Sequence, residues 1–153
     1  LVILDVDGVL TDGRLYFDAQ GEALKVFHVR DGHGLKLLRA AGVEVAVISG
    51  RNSPAVSARC RELGIEHVEQ GCADKLIALR KVLQALDINT SETLCVVDDT
   101  TDLPLMLAVG YAVAVADAHP DVRAAAARIT ALPGGHGAVR EVCDWLIGAR
   151  EPA

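Results

Sequence analysis

Leu1-Val2-Ile3-Leu4-Asp5-Val6-Asp7-Gly8-Val9-Leu10-Thr11 is an apolar run that ends in two aspartates one residue apart, with a glycine directly behind them. Four consecutive apolar residues read as a strand buried on both faces, as in a parallel sheet. Alternate residues of a strand share a face, so the spacing predicts that Asp5 and Asp7 project together where this strand leaves the sheet. Two carboxylates in one crevice suit a bound cation, or a pair in which one attacks an electrophile while the other moves a proton. An acidic turn after a core strand is the plain alternative, and the rest of the chain decides between them.

Outward from this stretch, strands and helices alternate. Residues 43–48 form a second apolar strand that stops at Ser49-Gly50-Arg51-Asn52, and a helix over about 53–64 follows, with Pro54 in its first turn. Residues 65–68 read as a short third strand. Asp74-Lys75 opens a helix with Leu76, Leu79, Leu83 and Leu86 along one side. Residues 93–97 make a fourth strand ending in Asp98-Asp99-Thr100-Thr101-Asp102. A short helix over 103–109, a fifth strand over 111–115, an alanine-rich helix over 120–127, a short strand at Ile129 and a last helix over 138–149 complete the pattern. Asp31 reads as the cap of the first helix, which carries Leu35, Leu38 and Ala41 and ends at Gly42. The order predicts an α/β fold: a doubly wound parallel sheet with helices on both faces.

One insertion breaks the rhythm. Residues 14–17 and 23–29 flank the polar turn Asp18-Ala19-Gln20-Gly21-Glu22, which signals a β-hairpin over about 14–29. A plain crossover needs only a short loop there. The hairpin is therefore expected to serve as a lid or an assembly surface. Gly134-Gly135-His136-Gly137 reads as a flexible hinge at the start of a C-terminal tail over about 133–153. No linker or repeat interrupts the chain, and residues 1–153 are expected to form a single domain.

Composition narrows the class. Of 153 residues, 51% are hydrophobic, enough for a well-buried core, and the mean hydropathy is +0.30. The formal net charge is −6 with scattered Lys and Arg, which argues against nucleic acid or an anionic membrane as partner and favours a small ligand. Cys60, Cys72, Cys95 and Cys143 lack metal-type or disulfide-framework spacing and read as reduced thiols, so a cytoplasmic setting is expected. No apolar run is long enough to span a membrane, and the N-terminal run lacks the flanks of a signal peptide.

Ligands of doubly wound sheets sit outside the carboxyl ends of the strands. Three polar clusters fall at those ends: Asp5 with Asp7, Ser49-Gly50-Arg51, and Asp98-Asp99-Thr100-Thr101-Asp102. So many carboxylates at one edge call for a cation, and an all-oxygen set suits Mg²⁺. Ser49 with the bare backbone of Gly50 can hold a phosphate oxygen, although Ser49 could also simply cap the next helix. Lys75 can supply the fixed positive charge that phosphoryl transfer needs. An aspartate that attacks phosphorus, with a second that protonates the leaving alcohol and then deprotonates water, splits one hard step into two. The five histidines show no ligand spacing, so zinc is not expected.

With these clusters in order, the chain resembles the haloacid dehalogenase-like phosphohydrolases. Asp5-Val6-Asp7-Gly8-Val9 resembles the family's first motif, Ser49 its second, Lys75 its third, and Asp98-Asp99-Thr100-Thr101-Asp102 its fourth. The resemblance implies a Rossmann-like fold, Asp5 as nucleophile, Asp7 as acid/base, and Mg²⁺ held by Asp5, the Asp7 carbonyl and Asp98, with Asp99 and Asp102 in support. Residues 9–13, the hairpin, 27–34, 48–51, Gln70-Gly71 and 134–141 look like the 3-deoxy-D-manno-octulosonate 8-phosphate phosphatase subfamily. That narrower resemblance implies no separate cap domain, a phosphorylated sugar acid as substrate, and a homotetramer built through the hairpins. The alternatives are a phosphatase for nine-carbon keto-acid sugar phosphates and a silent copy kept as an oligomerisation module. The chain departs from the subfamily at Val97, where Gly usually precedes the paired acids, and at His136, where Arg is common. Arg51 and His136 are expected to contact substrate, His136 with a weaker, pH-dependent grip than Arg would give.

Overall fold

A computed structural model describes residues 1–149; residues 150–153 of the expected tail lie outside the described residues. Six parallel strands form one sheet in the order β5-β4-β1-β6-β7-β8. They are β1 (Val2–Leu4), β4 (Val45–Ile48), β5 (His67–Glu69), β6 (Leu94–Val97), β7 (Tyr111–Ala114) and β8 (Arg128–Ile129). The expected doubly wound sheet is what forms. β1, β4 and β6 are buried along their whole length, which is why their sequences are continuous apolar runs rather than alternating ones. The hairpin is a separate two-stranded sheet of β2 (Tyr16–Asp18) and β3 (Gly21–Leu24).

Helices divide between the two faces. α1 (Val29–Ala40) packs against α6 (Ala138–Gly148) and α2 (Pro54–Leu63), while α3 (Lys75–Leu86) meets α4 (Leu103–Ala108), which meets α5 (Pro120–Ala125). β1 lies between β4 and β6, with Leu4 paired to Val47 on one side and Val96 on the other. Chain order runs outward from β1 in both directions. The crevice at such a reversal lies above the carboxyl end of β1, where Asp5 follows at once.

Several boundaries differ from the sequence reading. β1 stops at Leu4, so Asp5 and Asp7 are not alternate residues of a strand; they belong to a tight loop closed by Thr11 N–H donating to the Val6 carbonyl at 3.0 Å. Residues 65–66 precede β5, β3 ends at Leu24 rather than running to 29, and α5 ends at Ala125 rather than 127. Asp31 does not cap α1. That role falls to His28, whose Nδ1 accepts from Arg30 N–H at 3.3 Å. Asp31 lies one turn in, 1% exposed, and its Oδ1 accepts instead from Arg140 N–H of α6 at 2.8 Å.

The glycine tail is not a loose hinge either. Gly134 is buried and donates to Asp117 Oδ1 at 2.9 Å, and Gly135 donates to the Val9 carbonyl at 3.0 Å. A Cβ at Gly134 would overlap the Gly8 carbonyl, so side-chain-free residues are needed where this tail crosses the Asp7 loop. Val97 ends β6 as an ordinary strand residue, fully buried and paired with Ala114.

Candidate active site

A cleft of about 420 Å³ opens above the end of β1, lined by Asp5, Asp7, Gly13, Ser49, Gly50, Arg51, Cys72, Ala73, Lys75, Asp98, Asp99 and Thr101. Residues from three strand ends and one helix start thus meet. The opening loop is held from inside by Thr11, 2% exposed, whose Oγ1 accepts from Gly13 N–H at 3.2 Å and Gly8 N–H at 3.4 Å. Gly8 has φ 90°, and a Cβ there would overlap the Asp98 carboxylate. Glycine is required on both counts: the left-handed backbone and the close approach of a charged group.

Lys75 ties the acids together. It follows Asp74, whose side chain caps α3 through Leu76 N–H at 2.8 Å, so the helix start fixes where the lysine begins. Its Nζ lies 2.9 Å from Asp5 Oδ1 and 2.5 Å from Asp102 Oδ1. Burial alone would depress the Lys75 ammonium, but Asp5 and Asp102 override it and hold its pKa above the usual lysine range. It remains a fixed cation.

The acids outnumber it. Carboxylate oxygens of Asp5, Asp98 and Asp102 lie within 4.8 Å of one another. Asp98 Oδ1 and Asp102 Oδ2 are buried without a hydrogen-bond partner. Burial, then the neighbouring Asp5 and Asp102, push Asp98 up to about 8, and burial followed by Asp5 raises Asp102 as well. Buried carboxylate oxygens without a partner, in groups whose ionisation burial opposes, fit a site that takes a positive charge. The donor set is all oxygen, so it fits a hard divalent cation and not a thiol- or imidazole-seeking one.

Ser49 is 2% exposed, and its Oγ accepts from Arg51 N–H at 3.3 Å. It does not cap α2, where Ser53 holds the N-cap position. Gly50 and Arg51 line the same cleft, and the Arg51 side chain is 43% exposed, its Nε 3.8 Å from Asp7 Oδ2. Asp99 is exposed and turns inward on its own chain, accepting from Thr100 N–H at 2.7 Å. His136 is the sequence candidate that is not brought to the cleft within this chain: it is exposed, with Nδ1 2.8 Å from the Gly134 carbonyl.

Two further side chains reach the site without having been singled out. Lys25, just beyond β3, places Nζ 2.5 Å from Asp7 Oδ1 and 3.1 Å from Glu22 Oε2. Glu22 also accepts from Ser53 Oγ at 2.5 Å. The available signal was a Glu and a Lys interrupting apolar hairpin strands, a pattern that charged edge residues mimic.

A parallel sheet with acids after its central strand, a serine after the next, and a lysine bridging two carboxylates defines a known class. A family model described as haloacid dehalogenase-like hydrolase matches residues 65–141, and the chain belongs to that family. At closer range it is similar to 3-deoxy-D-manno-octulosonate 8-phosphate phosphatase KdsC of Escherichia coli K12, 49% identical over 98% of this chain and 80% of that protein. Among solved structures, the cobalt-bound deoxy-D-mannose-octulosonate 8-phosphate phosphatase of Haemophilus influenzae superposes with TM-score 0.95 at 44% identity, over 97% of this chain and 87% of that one. The Moraxella catarrhalis 3-deoxy-D-manno-octulosonate 8-phosphate phosphatase, in complex with magnesium, phosphate and a KDO molecule, gives 0.93 at 40% identity, over 97% and 85%. Among the described residues no helix is long and apolar enough to cross a membrane.

Proposed function

We propose that this chain is a Mg²⁺-dependent phosphomonoesterase that hydrolyses 3-deoxy-D-manno-octulosonate 8-phosphate to the free sugar acid and phosphate. The observation that carries the reading is Asp5, held at 2.9 Å by Lys75 beside the buried, unpartnered Oδ1 of Asp98. Lys75 orients Asp5 and leaves its second oxygen free, as a nucleophile needs. Its free oxygen attacks phosphorus, the bond to the sugar oxygen breaks, and Asp7 gives the departing alkoxide a proton. Water then attacks the aspartyl-phosphate, Asp7 takes its proton back, and phosphate leaves with Asp5 regenerated.

Asp5, the Asp7 carbonyl and Asp98 would hold the magnesium ion, with Asp102 behind them. The ion would offset charge on the phosphoryl oxygens. Ser49 Oγ and Gly50 N–H donate to a phosphoryl oxygen, and Arg51 faces the organic part of the substrate. The printed names of the relatives support the substrate, and the magnesium in one of them supports the ion. The single domain expected over 1–153 is supported by one six-stranded sheet that carries the site, with the hairpin seated on the same body. We also assign a homotetramer assembled through the hairpins and a cytoplasmic setting. Exposed Leu15, Tyr16, Phe17, Leu24 and Val26 support the first, and the buried free thiols of Cys60, Cys95 and Cys143 support the second.

The test is a panel of the eight-carbon and nine-carbon keto-acid sugar phosphates with p-nitrophenyl phosphate, each assayed for phosphate release with magnesium and with chelator. The eight-carbon ester should be preferred, only with the metal, and Asp5→Asn should abolish its turnover. Preference for the nine-carbon ester overturns the substrate. An inert but stably oligomeric protein overturns the enzyme.

A further inference from the structure

The hairpin touches the cleft through an unusual lysine. The Lys25 side chain is 2% exposed although it belongs to the insertion rather than to the core. A lysine side chain buried that far needs carboxylates beside it, and here Asp7 and Glu22 lie at 2.5 and 3.1 Å. Glu22 is in turn anchored to the body of the protein: Ser53 Oγ donates to it at 2.5 Å, and Ser53 N–H donates to Gln70 Oε1 at 2.9 Å. A continuous line of contacts therefore runs from Gln70 through Ser53, Glu22 and Lys25 to Asp7.

At the far end of that line, Asp7 has little else to hold it. Among the described residues, Lys25 is the hydrogen-bond partner of its carboxylate, and Arg51 Nε stands off at 3.8 Å. A carboxylate that rotates freely spends little time where it can reach the leaving oxygen, and small misplacements of a proton-transfer group are costly. We propose that Lys25 is a positioning residue for Asp7: from the hairpin, it fixes the rotamer in which Asp7 passes its proton to the leaving group. Seating of the hairpin through Glu22 and Ser53 thereby sets the orientation of the acid/base group. This inference rests on Asp7 acting as the proton carrier, as assigned above.

Leaving groups separate this role from others. A sugar alkoxide departs only if it is protonated, whereas p-nitrophenolate leaves unaided, and kcat/KM reports the steps up to phosphoryl transfer onto Asp5. With magnesium present, Lys25→Met should lower kcat/KM for the sugar phosphate about tenfold or more. For p-nitrophenyl phosphate the change should stay within about threefold, since that ester does not draw on acid catalysis. Lys25→Arg should restore much of the loss, and Glu22→Gln, which loosens the lysine without removing it, should fall between.

Equal losses on both esters would assign Lys25 to fold or phosphate binding and overturn the proposal. A rise in KM with unchanged kcat on the sugar phosphate alone would make Lys25 a substrate contact and overturn it too. If the wild type rejects the keto-acid sugars but cleaves a simple alkyl phosphate such as glycerol phosphate, the substrate reading fails while the comparison of leaving groups still decides the role of Lys25. A wild type inert toward every ester sinks both.

Discussion

At the scale of single residues, Asp98 makes the cation requirement measurable. Its carboxyl titrates near 8 in the folded protein, raised from an ordinary value of 3.8 by burial and by Asp5 and Asp102. The folded state therefore keeps a proton that the unfolded chain releases, and stability from this group is present at low pH and lost as pH rises through the folded value. In chelator, the melting temperature set by this group should fall between about pH 4 and about pH 8, then level. Millimolar magnesium should raise it most at the upper end, where the cation replaces the proton. Scanning calorimetry with and without magnesium measures this directly. A melting temperature indifferent to magnesium at pH 8 would refute a cation site among these acids.

Legibility at this scale followed a simple rule. Asp5, Ser49, Lys75 and Asp98 were readable because each stands where an apolar strand or a helix begins or ends, and together they fall at the edge of a doubly wound sheet where ligands sit. Lys25 and Glu22 were not, because a charged residue in a hairpin looks the same whether it points to solvent or folds back onto a carboxylate. Thr11 was hidden for another reason: its hydroxyl serves backbone groups of its own loop, and no side-chain pattern announces that.

Among elements, the errors of reading came from partners distant in sequence. Asp31 looked like the cap of its own helix, yet its Oδ1 accepts from Arg140 N–H, and it stands in for the side chain that Gly137 at the N-cap of α6 does not provide. Burial, opposed mainly by that hydrogen bond, holds its carboxyl above the usual range. Asp31→Ala should cost about 1–2 kcal/mol, the worth of a lost helix cap, seen as a lower urea midpoint with unchanged slope. Asp31→Asn, which keeps the acceptor oxygen, should recover most of it. An unchanged midpoint for the alanine variant would show that α6 needs no cap. The glycine tail misled for a related reason. Glycines signal freedom in isolation, but Gly134 and Gly135 are small so that their backbone can lie against the Asp7 loop.

For the molecule as a whole, the sheet order was legible because parallel strands buried on both faces leave unbroken apolar runs. The hairpin's purpose was only half legible: its outer residues Leu15, Tyr16, Phe17, Leu24 and Val26 are 39–60% exposed in the single chain, more apolar surface than a lone hairpin should leave in water. Phe17→Glu would place a charge in the middle of that patch. Sedimentation velocity should show the wild type as a larger species and the variant shifted toward the monomer, with far-ultraviolet circular dichroism unchanged. A wild type that sediments as a monomer would leave the hairpin to its contact with Asp7 alone.

The central place of β1 also bears on how the protein is made. Val2 pairs with Val45 on one side and with Leu94 on the other, so β1 stays half-paired until β6, which Asp98 follows, has emerged from the ribosome. Contacts so remote along the chain close slowly. Asp5 and Asp7 precede most of their partners in the chain, and they become a site only when the strands and helix that bring Ser49, Lys75 and Asp98 arrive to surround them.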